Sequence, residues 1–525
     1  MLESAHLFGL PGEYSMQWLT LPEPRSDVKL AFHDLPSAKA WLASQPQAQA
    51  MHMLTAIGSQ IEAIEGSTLP PPLALELLNV LRSAAVPGQN AIESRYVRKA
   101  LPMAAEDERS FDLAQKLWLR LGVAYLRLTP HFPPAGKCLP LQRAACAFRM
   151  AQYCHFLAAR ECPVLLDRLL FAVLDQAESA GVLRNALPDP DFRHLGEANI
   201  AGHLAWAFML RLIDPYRLSA AQLTVANRAI SRWRELNGFQ LMPDDNPKAH
   251  SVDLAPLFGA PLPAGIPRWL DVRKVERKID QRIEALLAGE SPESLKLGRE
   301  LSGAACIRLL RQLEDSLQPH AAKPSTEIGE IELSFGPEHA FSVLTGEALN
   351  SSSLEASGAA LSHQRLALFG FDRVSAMPTS VKKLTVPSEK WTLVDGKAVR
   401  PQDSEGARRL SPCLIASLRK EQAMLGVLEG LHTSASGSLT ADLKWYEGPI
   451  EAGRLMGTSA QQSKQPITPG FLMHDGDQYS LLVPATAGVR LNVVLGFQAS
   501  SLSRLLPTEV LERGVDFVRY AVTWQ

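Results

Sequence analysis

Met424-Leu-Gly-Val-Leu-Glu-Gly-Leu431, then Ser434-Ala-Ser-Gly-Ser438, then Leu439-Thr-Ala-Asp-Leu-Lys-Trp445 is the stretch that decides the fold. Leu439, Ala441, Leu443 and Trp445 alternate with polar neighbours. A period of two turns one face of a strand to a core and the other to solvent. The Ser- and Gly-rich pentapeptide between the runs is turn chemistry, so the whole reads as a β-hairpin. Outward from it, Val381–Val386, Trp391–Val394, Pro412–Leu418, Gln478–Val483, Arg490–Leu495 and Asp516–Val522 have the same strand character. Short strands separated by turns predict a small barrel or sandwich. Residues 349–362, rich in Ser and Ala, read as a loop or insert.

Upstream the period lengthens to 3.6. Phe111, Ala114, Leu117, Trp118, Leu121, Tyr125 and Leu128 form one apolar stripe, with Asp112, Lys116 and Arg120 opposite. Leu141, Ala145, Phe148 and Ala151 form a second, and the leucines of 165–174 a third. Residues 200–213 are apolar nearly all round, the mark of a buried central helix ended by Asp214-Pro215. Ser219 caps the next helix; 270–287 and a run from Leu297 to Leu317 supply two more. Helices alone are expected over this ground. Nearer the start, a short strand is expected at Val28–Phe32 and a helix opening at Pro70-Pro71-Pro72, with Gly66 and Pro87-Gly88 as separators. Pro319 and Pro324 stand in the polar stretch where the period changes. The expected fold is therefore α+β and multidomain. Residues 1–105 form a mostly helical N-terminal region, 106–322 an α-helical domain and 323–525 a small β-rich barrel domain.

The 525 residues are 46% hydrophobic and 21% charged, a globular balance, with a formal net charge of -2. That near-neutral charge gives no broad field toward nucleic acid or anionic lipid, so neither DNA nor RNA is an expected partner. The start carries Glu3 and Glu13 and has no basic-then-apolar leader. The longest uncharged stretch, 40–61, contains Ser44, Gln45, Pro46, Gln47 and Gln49, each costly in hydrocarbon, so membrane insertion is not expected. The expected location is the cytoplasm. Cys138, Cys146, Cys154 and Cys162 recur every eight residues. Eight residues turn a helix about 80° past two full turns, so these thiols do not converge and read as buried, unpaired groups.

No GxSxG, P-loop, HExxH or GxGxxG occurs, so neither catalysis nor a cofactor is expected. The thirteen histidines never pair at helical spacing; His203 reads as a satisfied core residue and no metal site is expected. Trp118, Leu121, Gly122 and Tyr125 match the opening of a tetratricopeptide repeat, but 131–136 interrupts its second half, and an ordinary amphipathic helix accounts for it.

Trp391-Thr-Leu-Val-Asp395, Ser404-Glu-Gly-Ala-Arg408, Pro412-Cys-Leu-Ile-Ala-Ser-Leu418 and the hairpin ending Leu443-Lys-Trp445 resemble a divergent PilZ-type barrel. Leu212-Ile-Asp-Pro-Tyr-Arg-Leu218 resembles a bacterial family in which a helical region precedes such a barrel, among them receptors for cyclic di-GMP that act on type IV pili. The resemblance implies a cyclic-di-GMP-binding effector or adaptor that regulates pilus or surface behaviour through a protein partner. It implies ligand contacts by Arg365, Arg373, Asp395, Ser404, Gly406 and Arg408. Arginine forks suit phosphate and the guanine Hoogsteen edge, and glycine admits the ligand to the backbone.

Two departures stand out. The Arg-x3-Arg that precedes such barrels is absent after residue 325, and the pairs Arg228/Arg232 and Arg273/Arg277 fall on helices of the other domain, where they read as solvated faces. The D-x-S-x-x-G motif is either split between Asp395 and Ser404 or shortened to Asp403-Ser-Glu-Gly406. For Arg408 and Arg409 the alternative to ligand contact is a charged strand edge. The competing expectation is a nucleotide-independent scaffold or chaperone-like adaptor.

Overall fold

Proline is tolerated in the first turn of a helix, where its missing N–H has no intrahelical acceptor to lose. Pro71 accordingly opens α3 (Pro71–Glu93). α3 belongs to a computed structural model that describes residues 18–21, 23–24, 27–243, 250–318, 329–349, 386–419, 422–456, 467–475 and 478–525. The chain divides into two units, Met1–Ala322 and Lys323–Gln525.

In the first unit α3 is preceded by α1 (Leu35–Ser44) and α2 (Ala50–Glu65). It is followed by α4 (Ala105–Leu128), α5 (Cys138–Ala158), α6 (Val164–Ser179), α7 (Ile200–Leu212), α8 (Ala220–Trp233), α9 (Arg273–Leu287) and α10 (Gly303–Leu317). Asp34 caps α1 by accepting from the Ser37 N–H at 2.8 Å, and Ser219 with Gln222 forms a capping box on α8. α2 and α3 pack on α4, and α4 lies along α5, which in turn carries α6 and α7. Helices before and after residue 105 thus share one core. Residues 200–210 are buried without a break, which makes α7 the central helix. Trp118, Leu121 and Tyr125 are core residues of α4.

Several expectations are corrected here. α3 runs straight through Pro87-Gly88, because burial of Leu81, Ala85 and Ile92 on either side outweighs the break and Gly88 lets Met53 and Leu54 of α2 come close. Residues 28–32 are irregular, not a strand. Short strands interrupt the helices: β1 (Leu187–Pro188) pairs with β2 (Glu197–Ala198), and β3 (Gly238–Gln240) and β4 (Ser251–Asp253) flank β5 (Trp269–Asp271). α10 starts only at Gly303, since Lys296 and Gly298 hold positive φ angles of 61° and 104° that no helix accepts. His203 is fully buried, but among the described residues neither ring nitrogen has a hydrogen-bond partner, so it is not the satisfied histidine expected.

The second unit has β6 (Gly329–Phe335), α11 (Pro337–Thr345), β7 (Glu389–Val394), β8 (Lys397–Arg400), β9 (Cys413–Arg419), β10 (Gln422–Thr433) and β11 (Leu439–Trp445). Then come β12 (Ile450–Met456), β13 (Thr468–Asp475), β14 (Gln478–Pro484), β15 (Leu495–Gln498), β16 (Leu502–Arg513) and β17 (Phe517–Trp524). The hairpin of residues 424–445 is β10 and β11, paired Leu428 to Leu443 and Thr433 to Leu439, with a bulge between Glu429 and His432. Where one small barrel is expected, two close: β10-β11-β8-β7-β6-β9 and β12-β13-β14-β17-β16-β15. Phe341 of α11 sits in a core shared by Leu414 and Val427 of the first barrel and Phe471 and Phe517 of the second. The Asp516 carboxylate accepts from the Leu414 N–H at 3.0 Å, a second tie between the barrels. The strand expected at 490–495 begins only at Leu495, because Asn492 turns the chain with a φ of 59°. The strand expected at 381–386 and the loop at 349–362 fall almost wholly outside the described residues.

Candidate functional site

β7 and β8 are joined by Asp395-Gly396, with φ angles of 50° and 78°. Two successive positive φ values are the signature of a two-residue hairpin turn, for which Asp-Gly is a preferred pair. Turn geometry alone therefore accounts for the residue type at Asp395, which is exposed at the tip. Ser404, Gly406 and Arg408 share one exposed segment after β8, and the Ser404 N–H donates to the Pro401 carbonyl at 3.1 Å. The length of β8, at about 3.3 Å per residue, separates Asp395 from that segment by roughly 13 Å. The structure thus groups Ser404, Gly406 and Arg408 and sets Asp395 at the opposite end of the strand. Arg365 and Arg373 lie outside the described residues.

Beneath the segment lies a cluster the sequence reading missed. Glu389 accepts from the Arg400 guanidinium at 2.7 Å, from Arg409 at 2.5 Å and from the Ala407 N–H at 2.9 Å. Arg400, only 3% exposed, also donates to the Ala407 carbonyl at 3.0 Å and lies 5.4 Å from the centre of the Trp391 ring. Arg409 covers Phe335 at 3.8 Å. Gly406 is required by this contact: a Cβ there would overlap the Arg400 guanidinium. Burial pushes the Glu389 carboxyl upward, but the Arg409 hydrogen bond, the Ala407 N–H and both guanidinium charges outweigh it and hold the group below its ordinary value. Two guanidinium groups share the Glu389 carboxylate, and the buried Asp516 carboxylate also feels the Arg409 charge. Among the described residues the Arg409 Nε and the Trp391 Nε1 are buried donors without an acceptor. Arg409 is no charged strand edge: it lies between β8 and β9, and its guanidinium is paired with Glu389. The only local signal for it was Arg408-Arg409 beside a turn; its partner Glu389 is twenty residues upstream.

The helical unit has its own cleft of about 400 Å³ between α2, α3 and α4, walled by Ile64, Leu78 and Leu128 and carrying Glu65, Arg127 and His131. Arg127 donates to Glu65 at 2.8 Å, yet burial pushes the Glu65 carboxyl up to about 7 against that charge. A volume within the usual range for small-ligand pockets, apolar walls and a carboxyl titrating near neutrality are features of a binding site. Nearby, Arg82 and Arg143 converge on Asp189 at 2.6 and 2.7 Å, fully buried, and fix the β1–β2 segment to α3 and α5. No group of histidine, cysteine and carboxylate side chains among the described residues is placed to hold a metal. No described helix is long and apolar enough to cross a membrane.

The family model for the N-terminal domain of the cyclic-di-GMP receptor FimW matches residues 36–244. The match runs from α1 to just past β3 and includes the whole α2–α4 cleft and the Arg82–Asp189 cluster. The likeness to a cyclic-di-GMP receptor family with a helical N-terminal region, seen in Leu212–Leu218, agrees with it. No curated protein and no solved structure matches the chain.

Proposed function

We propose that this protein is a cytoplasmic cyclic-di-GMP-binding effector that relays the nucleotide signal to a protein partner in pilus or surface behaviour. The observation that carries the reading is the match of residues 36–244 to the FimW N-terminal domain, placed ahead of a β-barrel unit. Ser404, Gly406 and Arg408 are the contacts proposed on the barrel side, with the neighbouring Arg409 added because among the described residues its Nε has no acceptor. Asp395, Arg365 and Arg373 remain proposals from the resemblance. Calorimetric titration of the full chain with cyclic di-GMP tests this: saturable heat is expected, and folded protein giving none would overturn it. Arg408→Ala should weaken binding by about 1.5–3 kcal/mol, the contribution of a charge-assisted hydrogen bond. Unchanged affinity removes Arg408 from the site.

A nucleotide-independent scaffold is the competing reading. It draws support from Glu389, which already engages Arg400 and Arg409 and gives both arginines a structural role. A partner set captured equally with and without cyclic di-GMP would favour it.

A further inference from the structure

α8 and α9, with the segment 295–297, enclose a cleft of about 210 Å³. Its charged lining is entirely basic: Arg232, Lys278, Arg282 and Lys296, set beside the indole of Trp233. Like charges facing one space repel, and no carboxylate stands in its wall to offset them. Among the described residues the buried Arg282 Nε has no acceptor, and Lys278 donates to the Gln281 amide oxygen at 3.3 Å. The positive charge gathered at the cleft is therefore not offset by a carboxylate of its own wall.

The wall that presents Lys296 is pinned in place. Arg228, one turn from Arg232 on α8, donates to the Leu297 carbonyl at 2.6 Å and forks onto Glu300 at 2.8 and 2.5 Å. Gly298, at a φ of 104°, is the residue that permits it: a Cβ would overlap the Arg228 guanidinium. Glu300, the carboxylate of this wall segment, is thereby turned to Arg228 and to the Arg299 N–H. Arg228 builds the wall, and Arg232, one turn further on and exposed, lines the cleft.

We propose that the cleft between α8 and α9 binds a phosphoryl group. Guanidinium and ammonium groups lining one small cleft suit phosphate oxygens, the guanidinium through paired hydrogen bonds. A volume below the roughly 300–1,000 Å³ typical of whole-ligand pockets fits a phosphate end and not an entire dinucleotide. The phosphate comes either from a free polyphosphate or from a nucleotide whose remainder stays outside. This site goes beyond the barrel-side reading, since it lies on other residues of the other unit.

The test is calorimetry on the full chain with two ligands, pyrophosphate and cyclic di-GMP, comparing wild type with Arg232→Gln/Arg282→Gln. Circular dichroism and the unfolding midpoint check that the variant is folded. A drop of roughly tenfold or more in pyrophosphate affinity is expected, from the loss of two charge-assisted donors. Loss of pyrophosphate binding alone identifies a free-anion site, whereas parallel loss of cyclic-di-GMP binding identifies the dinucleotide's phosphate. Where the double variant fails to fold, Lys296→Gln, on an exposed residue, replaces it. Wild type that binds neither ligand, or folded variants that bind both unchanged, would overturn the proposal. If wild type binds pyrophosphate but not cyclic di-GMP and the variant loses that binding, the cleft stands and the effector reading falls.

Discussion

Glu389 and Glu65 are both carboxylates held beside arginine, and their ionisation moves in opposite directions. Glu389 has two guanidinium groups and a backbone N–H, enough to overcome its burial. Glu65, buried to a like degree, has Arg127 as its near partner and feels Glu62 as a like charge, so burial prevails and the group rises to about 7. A folded-state value above the unfolded one means that the folded protein keeps a proton the unfolded chain has lost. The Glu65 contribution to stability is therefore present below about 4.5 and declines as pH rises to about 7. Glu65→Gln should remove that part of the slope. Urea midpoints of wild type and variant, measured between those pH values, should diverge with rising pH in favour of the variant; parallel curves would refute it.

At the scale of elements, the β7–β8 turn is the clearest case of local sequence dictating local structure. Gly396→Ala forces a side chain into a left-handed backbone and should cost about 1–2 kcal/mol, read from the denaturant midpoint. Asp-Gly between two alternating runs is legible in a sequence, as were the stripe of α4, the cap of α8 and the hairpin of β10 and β11. β1 to β5 were not, because strands of two or three residues are shorter than the pattern that would reveal them. Pro87 misled because helix-breaking chemistry is local, whereas the burial that overrides it comes from α2. The candidate site divides the same way. Ser404, Gly406 and Arg408 sit together in the chain and so could be singled out, but the Glu389–Arg400–Arg409 cluster exists only once the barrel has closed.

For the whole molecule, the number of barrels was the property least available to reading along the chain. Closure depends on β6 meeting β9 and on β12 meeting β15, pairings between distant segments that leave no mark on either strand's own pattern. The shared core around Phe341 makes the two barrels one folding unit. Phe341→Ala should cost about 3–5 kcal/mol, the usual penalty for a vacated aromatic site. Hydrogen exchange should quicken in β9 and β10 and, to a like degree, in β13 and β14; quickening confined to the first barrel would show that the two fold separately.

The six unpaired cysteines bear on how such events can be followed. All are buried, and burial raises the thiols of Cys154 to about 12 and Cys306 to about 11, while Cys413 moves further in the same direction. A thiol that is both covered and protonated is inert to alkylating and disulfide reagents. The native protein is thus silent to them, and each modification records an opening event. Five of these positions lie in the first unit and Cys413 alone lies in the second, so peptide mapping of modified cysteine reports the two units as separate clocks within one unlabelled chain.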